Sequence, residues 1–256
     1  MTLPRLLMEF HAPGCFTLEE AEGVLGADRA REHIRYLRAR GYIETVRRGI
    51  YAFVPETTGV LPDRYLIASK ASPDAYLSHH TALELLGVAQ TTFVGQLFVS
   101  VPKRLARYSH GGSSVSPVVS KGRVEGFLTI VKRGGQDIRA SGRELTLVQC
   151  LDRLDHAGGL EELMRSVEGF SGLNWDRLEA LLAPGKGPFG KASLNAKVGF
   201  VVERLSDRWH PPGDLLESLS GRTGRGVTYL GTERGEGGRW VPRWRVIVPQ
   251  WALEAW

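Results

Sequence analysis

Residues 16–53 read FTLEEAEGVLGADRAREHIRYLRARGYIETVRRGIYAF, and this stretch decides the fold of the N-terminal region. Thr17, followed three residues later by Glu20, has the pattern of a capping box, which predicts that a helix starts here. A glycine is expected to end this short helix. Asp28 is then predicted to cap a second helix that runs to Arg40.

The second predicted helix has two distinct faces, because residues three and four apart lie on the same side of a helix. The face expected to be buried consists of Ala30, Ile34 and Leu37. A separate stripe with the same spacing consists of Arg31, Arg35 and Arg38. A helix, a short turn and a second helix with an arginine stripe are typical of the helix-turn-helix.

The residues that follow predict a wing. Residues 42–46 alternate as a strand, residues 47–49 form a turn, and residues 50–53 form a returning strand. Arginine suits both the recognition helix and the wing, because its planar guanidinium bonds guanine edges or phosphate oxygens in pairs. The residues expected to contact DNA are Arg29, Arg31, Arg35, Arg38, Arg47 and Arg48. A winged helix that contacts only other proteins is the alternative.

The charge of the chain is unevenly placed. The net charge of all 256 residues is only +5, yet residues 29–48 hold seven arginines against two glutamates. Residues 103–143 hold nine basic residues against two acidic ones, which predicts a polyanionic partner. The basic residues expected to add a secondary contact to DNA or RNA flank a Gly/Ser-rich stretch, residues 110–116, that is predicted to be a flexible loop. They are Lys103, Arg104, Arg107, Lys121 and Arg123. An ordinary solvated surface is the alternative.

The composition also excludes several classes of protein. Hydrophobic residues make up 42% and charged residues 24%, which is typical of a globular protein and argues against wholesale disorder. No apolar run reaches the length of about 18 residues that a membrane helix needs. The first residues lack the apolar segment of a signal peptide, so we expect a cytoplasmic protein with no membrane partner. Cys15 and Cys150 are too few for a disulfide framework or a zinc site.

Residues 56–256 are expected to form a larger second domain after a winged helix at residues 1–55, so the fold class is α+β. Residues 145–156 predict an amphipathic helix. Residues 228–231 and 240–248 are expected to pair as a hairpin around a glycine-rich loop.

The motifs of the second domain that resemble chemical sites do not predict a catalytic, metal or cofactor site. Residues 185–190 match GxGxxG, but the match follows a helix and contains Pro188, which favours a loop over a dinucleotide site. His79 and His80 are adjacent and face different ways, so they do not form a metal site. Asp155 and His156 lack a nucleophile motif beside them. We therefore expect no catalytic residue, metal or cofactor, and no enzyme.

Four segments of the chain form a recognisable series: residues 48–51 of the wing, residues 76–87, residues 145–152 with the glycines at 158–159, and residues 197–203. In their order and spacing, these segments resemble the AbiEi family of antitoxin-type transcriptional regulators. The resemblance implies a winged helix followed by a mixed α/β antitoxin-type domain. It also implies repression of the protein's own operon, opposition to a nucleotidyltransferase-like toxin, often without stable contact between the two proteins (type IV behaviour), and a part in phage defence.

Two other functions remain open at the level of sequence. One is a DNA-acting nuclease, which would carry clustered acidic residues at strand ends. The two clearest strands of the second domain, residues 96–101 and 127–131, contain no acidic residue, which argues against this function. The other is a repressor whose second domain senses a ligand. The tryptophans available to line such an effector pocket are Trp175, Trp209, Trp240, Trp244, Trp251 and Trp256.

Overall fold

A computed structural model of the chain describes residues 5–255. Its helices are α1 (Arg5–Glu9), α2 (Leu18–Leu25), α3 (Ala27–Ala39), α4 (Pro55–Thr58), α5 (Arg64–Ser69), α6 (His79–Leu85), α7 (Arg143–Asp152), α8 (Gly159–Val167), α9 (Trp175–Leu182), α10 (Ala192–Arg204), α11 (Ser206–Trp209), α12 (Gly213–Gly221) and α13 (Trp251–Glu254). Its strands are β1 (Cys15–Thr17), β2 (Ile43–Arg47), β3 (Ile50–Phe53), β4 (Tyr76–Leu77), β5 (Gln96–Val101), β6 (Tyr108–His110), β7 (Ser113–Val119), β8 (Leu128–Arg133), β9 (Gln136–Ser141), β10 (Thr228–Tyr229), β11 (Arg239–Val241) and β12 (Val246–Val248). Across residues 5–255, no helix is both long and apolar enough to cross a membrane.

The N-terminal elements form the predicted winged helix. Three helices, α1 to α3, accompany a sheet with the order β1-β3-β2, in which both pairings are antiparallel. Two of these elements were not predicted. Residues 15–17, expected to lead straight into a helix, form β1 because Thr17 lies opposite Ile50 in the sheet. The short helix α1 precedes them.

The local signals for the helix-turn-helix are largely confirmed. The Thr17 hydroxyl accepts the Glu20 N–H at 3.1 Å and the Glu20 carboxylate accepts the Thr17 N–H at 2.7 Å, which completes the capping box. The prediction that Asp28 caps α3 is wrong, because Gly26 holds the capping position and allows only one residue between α2 and α3. Asp28 lies in the first turn instead, where its charge favours the helix dipole.

The chain divides into two compact units. Among the described residues, unit 1 comprises residues up to 77, residues 93–120 and residues 130–139, and unit 2 comprises residues 78–92, residues 121–129 and those from 140 onward. A six-stranded sheet with the order β6-β7-β5-β4-β9-β8 lies mostly in unit 1. The predicted domain boundary at residue 55 stays a prediction.

Three predictions for the region after residue 55 are wrong in their details. Residues 113–119 form β7, which pairs on one side with β6 and on the other with β5, so the stretch 110–116 is not a flexible loop. The strand β12 pairs antiparallel with β11 and parallel with β10, so residues 228–231 are not one arm of a simple hairpin. The helix α7 is not amphipathic, because every residue from 144 to 151 is buried.

Unit 2 packs around α7 and α10. One glycine of α10, Gly199, determines how closely this helix approaches the Trp244 ring. Trp244 is fully buried, and its indole N–H donates to the Glu203 carboxylate at 2.5 Å. A Cβ placed on Gly199 would lie 2.0 Å from the Trp244 ring. Only a residue without a side chain fits at this point of the helix.

We therefore expect Gly199→Ala to destabilise the protein by about 1–3 kcal/mol or more, since the buried indole has no room to move. The matched control is Gly23→Ala, because Gly23 also lies inside a helix but has nothing within 4 Å of its added Cβ. That substitution should stabilise the protein by about 0.5–1 kcal/mol. Denaturant unfolding of both variants measures the difference, and equal effects would contradict the packing argument.

Candidate nucleic-acid interface

The helix α3 separates its apolar and basic residues as the sequence predicts. Ala30, Ile34 and Leu37 are buried in the cluster that forms the core of the winged helix. Arg31, Arg35 and Arg38 are exposed, about a quarter turn away along the same helix. The buried side anchors α3 on the sheet, and the arginine stripe faces solvent.

The three arginines of the stripe differ in their partners. The Arg31 guanidinium forms an ion pair with Glu22 of α2 at 3.1 Å. For Arg35 and Arg38, residues 5–255 supply neither a hydrogen bond nor an ion pair. These two side chains line a shallow groove of about 500 Å³ whose other wall includes Glu44 and Thr45 of β2. Free cations beside an open groove on a helix suit a polyanion that lies along that helix.

Arg29 lies apart from the stripe. Two residues before Arg31, it projects from the opposite flank of α3, since each residue turns the helix by 100°. The same flank carries Tyr36, which is exposed, and Arg40, whose guanidinium stacks 5.5 Å from the Tyr36 ring. The site predicted from the sequence did not include Tyr36 or Arg40, although their spacing of four residues was visible.

The two wing arginines also lie in different surroundings. Arg48 is exposed in the two-residue turn with Gly49, which has the left-handed φ of 82° that such a tight turn requires. Arg47 belongs to β2 rather than to the turn. Its guanidinium donates to the Ala71 carbonyl at 3.3 Å and stacks 5.3 Å from the Tyr108 ring. Arg48 is therefore the freer of the two.

The second basic group is divided by the fold. Lys103, Arg104 and Arg107 are exposed on the segment between β5 and β6 of unit 1. Lys121 and Arg123 belong to unit 2, where Lys121 forms an ion pair with Asp152. The five predicted residues therefore belong to two different units.

The segment 103–107 is tied to the wing at its C-terminal end. Tyr108, the next residue, carries the Arg47 guanidinium over its ring. His110 of the same strand contacts the Glu44 carboxylate of β2 at 2.8 Å. These contacts hold β6 against β2, so the three cations of the segment and the wing belong to one framework.

Of the candidate chemical sites of unit 2, the histidine pair is buried, whereas Asp155 is exposed beside Arg153 and His156. His80 is buried with its ring nitrogens 3.2 Å from Glu84 and 3.1 Å from Glu162. The Glu162 carboxylate is partly buried, which opposes ionisation, but hydrogen bonds from Thr91 and His80 lower its pKa below the usual value. Residues 185–190 form the predicted loop. Within residues 5–255, no group of three or more His, Cys, Asp or Glu side chains has the arrangement of a metal site.

The tryptophans of the second half serve different purposes. Trp209 and Trp244 are buried packing residues, whereas Trp240 is exposed. Trp251 lines a surface depression of about 470 Å³. Trp256, also predicted to line an effector pocket, lies outside the described residues.

Comparison with known proteins shows a similarity of the N-terminal region to a family of regulators. The model of a family described as a transcriptional regulator, AbiEi antitoxin, matches residues 5–54 and confirms the resemblance over this segment. The crystal structure of the RV2827C protein from Mycobacterium tuberculosis is similar with a TM-score of 0.66 at 20% identity, over 95% of this chain and 90% of that chain. At this identity the likeness concerns the fold. No curated protein matches the sequence significantly.

His79 yields a prediction that depends on pH. It is buried at the start of α6 with a left-handed φ of 53°, and its ring meets the His156 ring edge-on at 5.0 Å. Burial, and then the charges of His156 and Arg153, lower its pKa from 6.5 to about 3. An unfolded chain therefore takes up a proton on His79 below about pH 6.5 that the folded chain refuses. His79 consequently removes stability as the pH falls from 6.5 towards 3.

We expect His79→Asn to reduce this pH dependence by up to about 1.4 kcal/mol per pH unit, the limit for one proton. Asparagine tolerates the left-handed backbone. His210→Asn is the matched control, because His210 has a φ of 47° but is exposed. Urea unfolding between pH 4 and 7 measures the slopes, and a slope equal to that of the wild type in His79→Asn would contradict a neutral buried histidine.

Proposed function

We propose that this chain, whose residues 5–54 match the AbiEi antitoxin regulators, is a DNA-binding repressor of its own operon and an antitoxin. Its DNA partner is double-stranded operator DNA, and its functional partner is a nucleotidyltransferase-like toxin. The observation that carries the proposal is the pair of free cations, Arg35 and Arg38, on the open face of α3 in a winged helix. A helix of this kind docks in the major groove and reads base edges.

The surroundings of the arginines suggest a division of roles. Arg35 and Arg38 have no competing partner in residues 5–255, so they are the candidates for paired hydrogen bonds to guanine. Arg31 is already paired with Glu22 and suits a phosphate contact that exchanges one anion for another. Arg48 at the tip of the wing, and Arg47 behind it, suit phosphate or the minor groove. Arg29 on the other flank would reach only the adjacent phosphate backbone.

The DNA-binding surface extends beyond the winged helix in this proposal. Lys103, Arg104 and Arg107 belong to the same unit as α3 and are linked to the wing through Tyr108. Cations on an exposed segment neutralise phosphates without reading the sequence. They would raise the affinity for any duplex and leave discrimination to α3.

The antitoxin activity is assigned to the region after residue 55. Its support is the resemblance of residues 76–87, 145–152 and 197–203 to the family. Apart from residues 76–77, which form β4 in unit 1, these segments belong to unit 2 and contain α6, most of α7 and part of α10. Lys121 and Arg123 of this unit are the candidates for contact with RNA on which a toxin acts. The proposal places the protein in the cytoplasm, as a regulator rather than an enzyme.

Repression and antitoxin activity are tested separately. A reporter driven by the DNA upstream of the gene should be repressed when the chain is expressed, and that repression should not need the toxin. Growth arrest by a nucleotidyltransferase encoded next to this gene should be relieved by co-expression of the chain. A reporter that stays fully active would contradict repression, and an unrelieved arrest would contradict the antitoxin role.

We expect the Arg35→Ala and Arg38→Ala variants to lose about 1–3 kcal/mol of operator affinity each, and to lose discrimination at the base that each one reads. The control is Arg234→Ala, since Arg234 is an exposed arginine of unit 2. Fluorescence anisotropy with operator and scrambled duplexes at one stated salt concentration measures both quantities. If the variant that combines Arg35→Ala and Arg38→Ala binds the operator with wild-type affinity, α3 is not the helix that contacts the bases.

The non-specific contacts are tested by the dependence of affinity on salt. Each phosphate contact that is removed should reduce the slope of log affinity against log salt by about one. Arg48→Ala should therefore reduce the slope by about one, and the combined Ala variant of Lys103, Arg104 and Arg107 by about three, with the base preference unchanged. An unchanged slope in a folded variant would remove that element from the interface.

A further inference from the structure

A cavity of about 830 Å³ lies beside the wing turn, within unit 1. Four segments form its walls: the start of α2, the wing turn, residues 69–73 after α5, and the hairpin that joins β8 to β9. Its volume falls in the range of about 300–1,000 Å³ that is usual for sites of small molecules and cofactors. None of the tryptophans proposed for an effector pocket contributes to it.

A buried lysine fixes the base of this cavity. The Lys70 side chain is only 7% exposed, and its ammonium donates to the Glu20 carboxylate at 2.6 Å. The same ammonium donates to the Gln136 side-chain oxygen at 3.1 Å. Because Glu20 also closes the capping box of α2, these bonds hold three of the walls in one arrangement. A preformed polar base reduces the ordering cost of binding a ligand.

The rim of the cavity carries charged side chains that have no partner within residues 5–255. Arg48 and Lys132 line it and are exposed, and so are the carboxylates Glu19 and Asp137. None of these four side chains forms a hydrogen bond or an ion pair with another of residues 5–255. Guanidinium and ammonium groups suit a phosphate, whereas free carboxylates accept hydrogen bonds from hydroxyl groups. A ligand that carries both a phosphate and a sugar satisfies both sets.

We propose that this cavity is a regulatory site for a nucleoside monophosphate, with the phosphate held by Arg48 and Lys132 and the ribose hydroxyls donating to Asp137 or Glu19. The volume of the cavity also leaves room for the nucleobase of the ligand. Arg48 belongs to the wing, so a ligand that neutralises it removes a cation from the DNA-binding surface. The bound ligand therefore weakens operator binding, and operator DNA weakens ligand binding by the same factor. This coupling rests on the proposed function, whereas the binding site does not.

Calorimetric titration of the full chain tests the site directly. The ligands are AMP, CMP, GMP and UMP, with their nucleosides and inorganic phosphate as comparisons. We expect at least one monophosphate to bind about tenfold or more tightly than both its nucleoside and inorganic phosphate, because it alone engages the cations and the carboxylates together. Lys132→Ala and Asp137→Asn should each weaken the binding of that monophosphate by about tenfold. Lys186→Ala, at an exposed lysine of unit 2, is the matched control and should bind like the wild type.

Each other outcome overturns a defined part of the proposal. If none of the four monophosphates binds, the proposed site is wrong. Binding that is insensitive to both rim variants places the ligand elsewhere, and equal binding of inorganic phosphate removes the nucleoside assignment. A monophosphate that binds as expected but leaves operator affinity unchanged overturns the coupling alone. A chain that binds the monophosphate but no DNA overturns the proposed function and leaves the site intact.

Discussion

Burial of the Phe16 ring is the interaction on which the winged helix depends. Phe16 lies in β1 and stacks on Phe10 with their ring centroids 5.1 Å apart, and it also packs against Phe53 at 5.8 Å and Tyr51 at 5.6 Å. One aromatic ring thereby joins the segment after α1, the central strand β3 and the helices that share the core. The orientation of α3 and the position of the wing follow from this packing, because both elements leave the same core.

The basic residues of the chain differ in whether the fold already provides a partner for their charge. Arg31, Arg47 and Lys121 each have a partner within the fold, so part of their charge is already compensated. Arg35, Arg38 and Arg48 have no such partner in the described chain, and all three lie on the winged helix. A count of basic residues along the chain treats these two groups alike. Only the uncompensated group remains fully available to a polyanion.

Unit 2 illustrates how charged and polar groups are accommodated in an interior. His80 lies between two carboxylates, and the buried Glu144 carboxylate accepts the Asn174 N–H at 2.8 Å and lies 3.6 Å from Arg177. Buried ionisable groups persist when partners offset their loss of hydration. The histidine pair, which resembles a chemical site in the sequence, is here part of the packed interior, whereas Asp155 forms an exposed ion pair with Arg153.

The sequence by itself determined the helix-turn-helix, the wing and the arginine stripe, because each depends on residues close together in the chain. The capping box of Thr17 and Glu20, the buried spacing of Ala30, Ile34 and Leu37, and the turn at Gly49 are local features. Only the tertiary structure decided that residues 113–119 form a strand between two others, that Arg47 is held by Tyr108, and that Lys103 and Lys121 belong to different units. It also decided the cavity above Lys70, whose walls come from four separate segments. Such features depend on pairings between residues distant in the chain, and neither spacing nor local propensity records which distant segments meet.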